Sequence, residues 1–271
     1  MANGTNQSVT EFFLRGDNFT AETPWRPGLA VLASIGFFFF QGIVAVIVFF
    51  IMLAGKLPAD QMADIGRLMS SQAFADAMNV AVLACEALGF LMVLLVAERF
   101  GGDAGKVLLL KTPKQPGLSA LFAVVSILAF FVFLSVVVSA VFPKDAMQGE
   151  EQMRQIFSAL SNSKYLWAGA VAISIGAPFF EESIFRGFLL TAFARTRLGF
   201  SGAAVLTSLL WAVMHAGYSL VMIAGLFALG MVLSAAVRRS GSIWPAIAMH
   251  GLWNSFVTWS TLQALSQAGA S

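Results

Sequence analysis

The run GLAVLASIGFFFFQGIVAVIVFFIMLA, from Gly28 to Ala54, holds no charged residue and decides the class of fold. A helix needs ~20 mostly apolar residues to cross the hydrocarbon core of a bilayer, and this run exceeds that length. Runs of similar character follow at Met78–Ala97, Leu118–Phe142 and Tyr165–Ala194, the last punctuated by Pro178, Glu181 and Glu182. Three more cover Gly202–Tyr218, Leu220–Val237 and Ile243–Leu262. Over the whole chain 58% of residues are hydrophobic and 11% charged, whereas a soluble domain carries roughly 25% charged residues. The mean hydropathy of +0.82 agrees. Backbone groups in lipid must be satisfied within the segment, so the expected fold is all-α: a polytopic transmembrane helical bundle of about seven to eight spans.

The remaining composition excludes more than it suggests. A net charge of +2, with basic residues scattered over loops, gives no basis for a nucleic-acid partner. The single cysteine, Cys85, allows neither an intrachain disulfide nor a Cys-rich zinc site and reads as a small packing residue. Met1 to Trp25 is polar and mixed in charge, which reads as a tail rather than a signal peptide, and neither end shows a lipid-anchor pattern. The expected organisation is a cytoplasmic tail (1–27), N-terminal helices with interfacial segments (28–164), a C-terminal core (165–262) and a short tail (263–271). Met153, Ile156, Phe157 and Leu160 share one helical face, as do Met62, Ile65 and Met69. Both segments are expected to lie in the membrane interface.

Ionisable residues at membrane depth cost several kcal/mol and mark function by default. Three groups stand out: Glu181-Glu182-Ser183-Ile184-Phe185-Arg186, Trp211-Ala212-Val213-Met214-His215 and His250-Gly251-Leu252-Trp253-Asn254. They contain both histidines of the chain. Counted from the basic rim near Arg195, Ser201 and Gly241, a rise of 1.5 Å per residue puts Glu181 and His215 at ~21 Å, His250 at ~14 Å and Asn254 at ~20 Å. The groups therefore converge on one layer. Glu182 and Arg186 are spaced i, i+4 with the acid first, the favourable order for an ion pair, while Glu181 points ~100° away. His250 and Asn254 are also i, i+4, and Trp211 lies one turn from His215.

This set suits water activation. A glutamate in a poorly solvated pocket is a better base than one in water. Glu181 would take a proton from water, His215 would hold that water, and His250 with Asn254 would donate to a tetrahedral oxyanion. The same residues suit a metal equally well, since two histidines and a carboxylate (Glu181, His215 and His250) make a catalytic zinc ligand set, although no HExxH motif is present. A buried Glu–His cluster would also serve a proton-coupled transporter, but no inverted repeat accompanies it. Glu86, alone in its apolar run, is expected to hydrogen-bond a neighbouring helix. Arg195, Arg197, Arg238 and Arg239 are expected to anchor helix ends.

Glu-Glu-x-x-x-Arg, then aromatic-x-x-x-His, then His-x-x-x-Asn resembles the CAAX protease and bacteriocin-processing family, the type II CAAX prenyl proteases, from about Tyr165 to Thr261. Trp211 stands where phenylalanine is more usual. The resemblance implies an intramembrane endopeptidase with Glu181 as the catalytic glutamate, His215 as its partner, His250 and Asn254 on the oxyanion side, and Glu182, Arg186 and Trp211 in support. It favours a mechanism without a cofactor over one using zinc or another divalent metal. It also implies a membrane-embedded or lipidated peptide or protein substrate, and a multi-pass protein of a bacterial cell membrane. Some members of the family act in bacteriocin immunity or maturation, or as non-enzymatic scaffolds.

Basic residues set orientation. Arg15, Arg26, Arg99, Lys106, Lys111, Lys114, Arg186, Arg195, Arg197, Arg238 and Arg239 fall on the N-terminal side of seven spans. Lys56, Arg67, Lys144, Arg154 and Lys164 fall on the other. The positive-inside rule then puts the N-terminus in the cytoplasm and the C-terminus outside. A reporter fused after Ser271 should be active only when it reads the external side; cytoplasmic activity there would overturn the topology.

Overall fold

The computed structural model describes residues 8–56 and 64–268. Short helix α1 (Val9–Arg15) precedes α2 (Pro27–Leu53), which starts with proline in its first turn, where the missing N–H costs nothing. After α3 (Ile65–Met69), α4 (Gln72–Gly101) begins at Ser71, whose hydroxyl accepts from the Phe74 N–H. The short α5 (Ala104–Val107) leads to α6 (Pro116–Val141) and then to α7 (Pro143–Ser161). A long helix, α8 (Leu166–Ala194), contains π-helical turns at Ala172–Gly176 and Ser183–Leu189. The chain ends with α9 (Gly199–Val213), α10 (Leu220–Ser240) and α11 (Trp244–Ala268). Among the described residues there is no strand.

Five of these helices (α2, α4, α6, α8 and α10) are long and apolar enough to cross a membrane. The other two expected spans are present as helices of different character. α11 is 25 residues long but carries His250 and Asn254. α9 has only 15 residues and stops at Val213, so the stretch expected to stay helical to Tyr218 is a turn. His215 lies in that turn, its N–H bonded to the Ala212 carbonyl. Irregular backbone at membrane depth is tolerated where it lines a cavity, and this turn does: His215 and Tyr218 both face the chamber described below.

The burial pattern is that of a bundle in lipid. Leu29, Leu32, Phe39, Ile43, Val46 and Phe50 make an exposed apolar stripe along α2, and Leu121, Leu128, Val132 and Val136 make one along α6. The interior packs large apolar side chains such as Phe180, Ile184, Phe188 and Leu229 together with small and polar ones. Ser34, Thr207, Ser234 and Ser240 are buried and donate to the carbonyl four residues back, so their hydroxyls cost little inside the bundle.

The basic end is tied together through backbone groups. The Asn18 N–H donates to the Arg238 carbonyl and the Lys114 N–H to the Ser240 carbonyl, both at 2.8 Å. Arg239 donates to the carbonyls of Phe13, Leu14 and Gly16. Arg195 donates to the Thr23 carbonyl. Arg186 does not belong with these loop charges: it is fully buried against Glu182, which leaves ten basic residues at this end against five. The direction of the bias is unchanged. At the other end α7 lies across the bundle. Its apolar face, expected in the membrane interface, turns Met153, Ile156 and Phe157 onto the chamber. Of the second amphipathic segment, Ile65 and Met69 are exposed on α3, and Met62 lies outside the described residues.

α4 and α8 touch at Gly169, where an added Cβ would sit 1.9 Å from the Asn79 Oδ1. The Asn79 amide in turn donates to the Ala75 and Leu160 carbonyls. Gly169→Ala is expected to cost about 1–3 kcal/mol by overpacking, read as a lower unfolding midpoint in detergent. Adding Asn79→Ala should give a double variant less destabilised than the sum of the two single changes.

Candidate active site

Glu181 and Glu182 are neighbours on α8 with opposite fates. Glu182 is fully buried, and its Oε1 accepts from Arg186 Nη1 at 3.0 Å and from His250 Nδ1 at 3.0 Å. Arg186 is also fully buried. Its Nη2 donates to the Gly230 carbonyl at 3.1 Å, and its guanidinium lies 5.0 Å from the centre of a Trp211 ring. Gly230 permits this approach, since a Cβ there would lie 2.9 Å from Nη2. Helices α8, α9, α10 and α11 thus meet on one charge pair.

Glu181 faces the other way, into a cavity of about 270 Å³ that extends beneath α7. Its Oε2 accepts from Trp211 Nε1 at 2.5 Å. His215, His250 and Asn254 line the same cavity, so the structure brings together the four residues expected to be catalytic. Of the three expected in support, Trp211 lines the cavity while Glu182 and Arg186 sit behind its wall. The Trp211 indole packs edge-on against both imidazoles, at 5.4 Å from His215 and 5.2 Å from His250.

The hydrogen bonds fix tautomers. His215 Nδ1 is 2.9 Å from the Trp211 carbonyl, which can only accept, so Nδ1 carries the proton and Nε2 is left with its lone pair. His250 Nδ1 likewise faces a carboxylate, which leaves Nε2 as its unengaged nitrogen. Asn254 Nδ2 donates to the Ile173 carbonyl at 2.9 Å, within the first π-helical turn of α8, and retains a second N–H.

Among the described residues no group of three or more His, Cys, Asp or Glu side chains is gathered closely enough to hold a metal ion. Glu181, His215 and His250 share a cavity without forming such a cluster.

Three wall residues were not singled out for the site in the sequence. Tyr218 stacks on His215 at 6.2 Å, Glu86 enters from α4, and Thr258 extends the α11 stripe. Thr258 follows Asn254 at i+4 and was therefore legible as a continuation of His250-x-x-x-Asn254. Glu86 was visible as a lone acid in an apolar run, but nothing in the sequence showed that it shares a chamber with Glu181.

Arg186→Met leaves Glu182 buried with no strong cationic partner, which typically costs 3–5 kcal/mol. Loss of folded protein in detergent is the expected result. Replacing both residues, Arg186→Met with Glu182→Gln, should recover much of that stability. If Arg186→Met alone is as stable as the starting protein, the pair does not organise the core.

Residues 163–256 match the family described as Type II CAAX prenyl endopeptidase Rce1-like. An Escherichia coli protein, described as an uncharacterized 24.3 kDa protein, is 33% identical over 108 residues. The match covers 39% of this chain and 49% of that protein, so the chain spans about half the length of the curated relative it matches. No solved structure matches. The Glu-Glu-x-x-x-Arg, Trp-x-x-x-His and His-x-x-x-Asn groups all fall within the matched segment, which is similar to the Rce1-like type II CAAX prenyl endopeptidases.

Proposed function

We propose that the chain is an intramembrane endopeptidase that hydrolyses a peptide bond of a membrane-associated protein or peptide with water activated by Glu181. The observation that carries this reading is the chamber. A carboxylate, two imidazoles and a carboxamide line one cavity at the depth of membrane-spanning helices, and the neighbouring Glu182–Arg186 pair is neutralised outside it.

Each group has a role consistent with its hydrogen bonds. Trp211 Nε1 orients Glu181 through Oε2, leaving Oε1 for a water. His215 Nε2 accepts from the same water and helps hold it. The water oxygen attacks the carbonyl carbon as its proton passes to Glu181. The oxyanion is met by the free N–H of Asn254 and by His250 Nε2. With His250 Nδ1 donating to Glu182, Nε2 donates to the oxyanion when both ring nitrogens carry protons. Collapse of the intermediate breaks the C–N bond, and Glu181 returns its proton to the leaving amine. No step is routed through a metal. The substrate is a membrane-embedded or lipidated polypeptide, and the similarity to an Escherichia coli protein fits placement in a bacterial cell membrane.

The test is cleavage of a membrane-peptide library by purified protein. Glu181→Gln keeps size and much of the hydrogen bonding but cannot take the proton, so activity should fall ~10²–10⁴-fold while folding survives. Asn254→Ala removes one oxyanion donor and should cost less, at most ~2.7–4 kcal/mol. Activity should persist in chelator. Stoichiometric metal lost together with activity would replace this mechanism, cleavage at the starting rate by Glu181→Gln would remove Glu181 as the base, and absence of cleavage by the unaltered protein would remove the protease reading.

A further inference from the structure

Two polar atoms in the chamber have no partner. Glu86 Oε2 and Thr258 Oγ1 are each buried without a hydrogen bond, and both residues line the cavity. Thr258 is only 4% exposed. Glu86 reaches this position because Gly176, in the first π-helical turn of α8, leaves room for it: a Cβ at Gly176 would lie 2.7 Å from the Glu86 Cβ. α4, carrying Glu86, and α11, carrying Thr258, both pack on that turn.

The electrostatics point to one ligand chemistry. Two carboxylates, Glu86 and Glu181, enter the chamber, and no lysine or arginine is among its described lining residues. Arg186 is held outside by Glu182 and the Gly230 carbonyl. The rest of the wall is mainly apolar, including Val82, Leu134, Phe157 and Val257. A buried oxygen without a partner is costly, and a cationic N–H donor entering from the chamber would satisfy both Glu86 Oε2 and Thr258 Oγ1. The proposed hydrolysis uses Glu181 and leaves Glu86 without a task.

We propose that Glu86 and Thr258 form a recognition subsite for a positively charged side chain of the polypeptide that enters the chamber. Glu86 accepts from the cation, Thr258 gives its oxygen to a second N–H, and the apolar wall packs the aliphatic stem of a lysine or arginine. The subsite deepens the protease reading, because it selects which residue is presented beside Glu181, yet binding at it does not require that a bond be cut.

Two membrane-spanning Leu/Ala peptides, identical except for lysine or norleucine at mid-depth, serve as probes. They are titrated into full-length Glu181→Gln protein in detergent, with binding read by fluorescence. The lysine peptide should bind about tenfold or more tightly than its norleucine partner. Glu86→Gln should abolish that preference, Thr258→Val should reduce it, and Glu86→Asp should retain part of it. Equal or absent binding of the two peptides, or a preference that survives Glu86→Gln in folded protein, overturns the proposal. Cleavage of the same peptides by protein that retains Glu181 separates the two claims. Selective binding without cleavage counts against the protease reading alone, and cleavage without lysine selectivity counts against the subsite alone.

Discussion

The structure depends on answering one buried charge. A guanidinium inside a helix bundle must be neutralised and hydrogen-bonded, or the bundle does not form around it. Arg186 achieves this with partners from different helices: the Glu182 carboxylate on its own helix, the Gly230 carbonyl on α10 and the Trp211 ring on α9. The same Glu182 oxygen reaches His250 on α11. Satisfying this charge therefore fixes how four helices stand relative to one another. The cavity is what remains between them beneath α7.

That hub also separates two adjacent carboxylates. Successive helical residues point ~100° apart, so once Glu182 is turned inward to Arg186, Glu181 faces the chamber. Trp211 serves both sides: its ring lies against the guanidinium and its N–H holds Glu181. The π-helical turns of α8 add to this. The first presents the Ile173 carbonyl to Asn254 and brings Gly176 against Glu86, and the second carries Arg186. Turns of this kind recur at functional sites because the extra residue breaks the regular ladder and re-aims groups that an ordinary helix would hold along its axis.

The chamber is apolar beneath α7 and polar around Glu181, His215, His250 and Asn254. α7 supplies much of the apolar roof through Met153, Ile156 and Phe157. It is tied to the turn after α9 by Gln152, which donates to the Gly217 carbonyl, and by the Tyr218 hydroxyl, which donates to Met153 Sδ. Tyr218 in turn stacks on His215, so the roof and the imidazole share one support.

By itself the sequence determined the solvent, the helical class and the layer in which chemistry is concentrated. Apolar runs longer than a bilayer is thick admit only helices, and helical rise converts residue number into depth, so Glu181, His215, His250 and Asn254 could be placed near one level by counting. Spacing of i, i+4 also gave the Glu182–Arg186 pair. Counting along one helix says nothing about rotation relative to its neighbours, and tertiary packing decided what depended on that. It ended α9 at Val213 and put His215 in a turn, it gave His250 to Glu182 and Asn254 to the Ile173 carbonyl, and it drew α7 over the chamber. It also placed Glu86 there: whether a lone acid on a long apolar helix meets lipid, a partner or a cavity is set by the face its neighbours leave open, and no local pattern in the chain records that face.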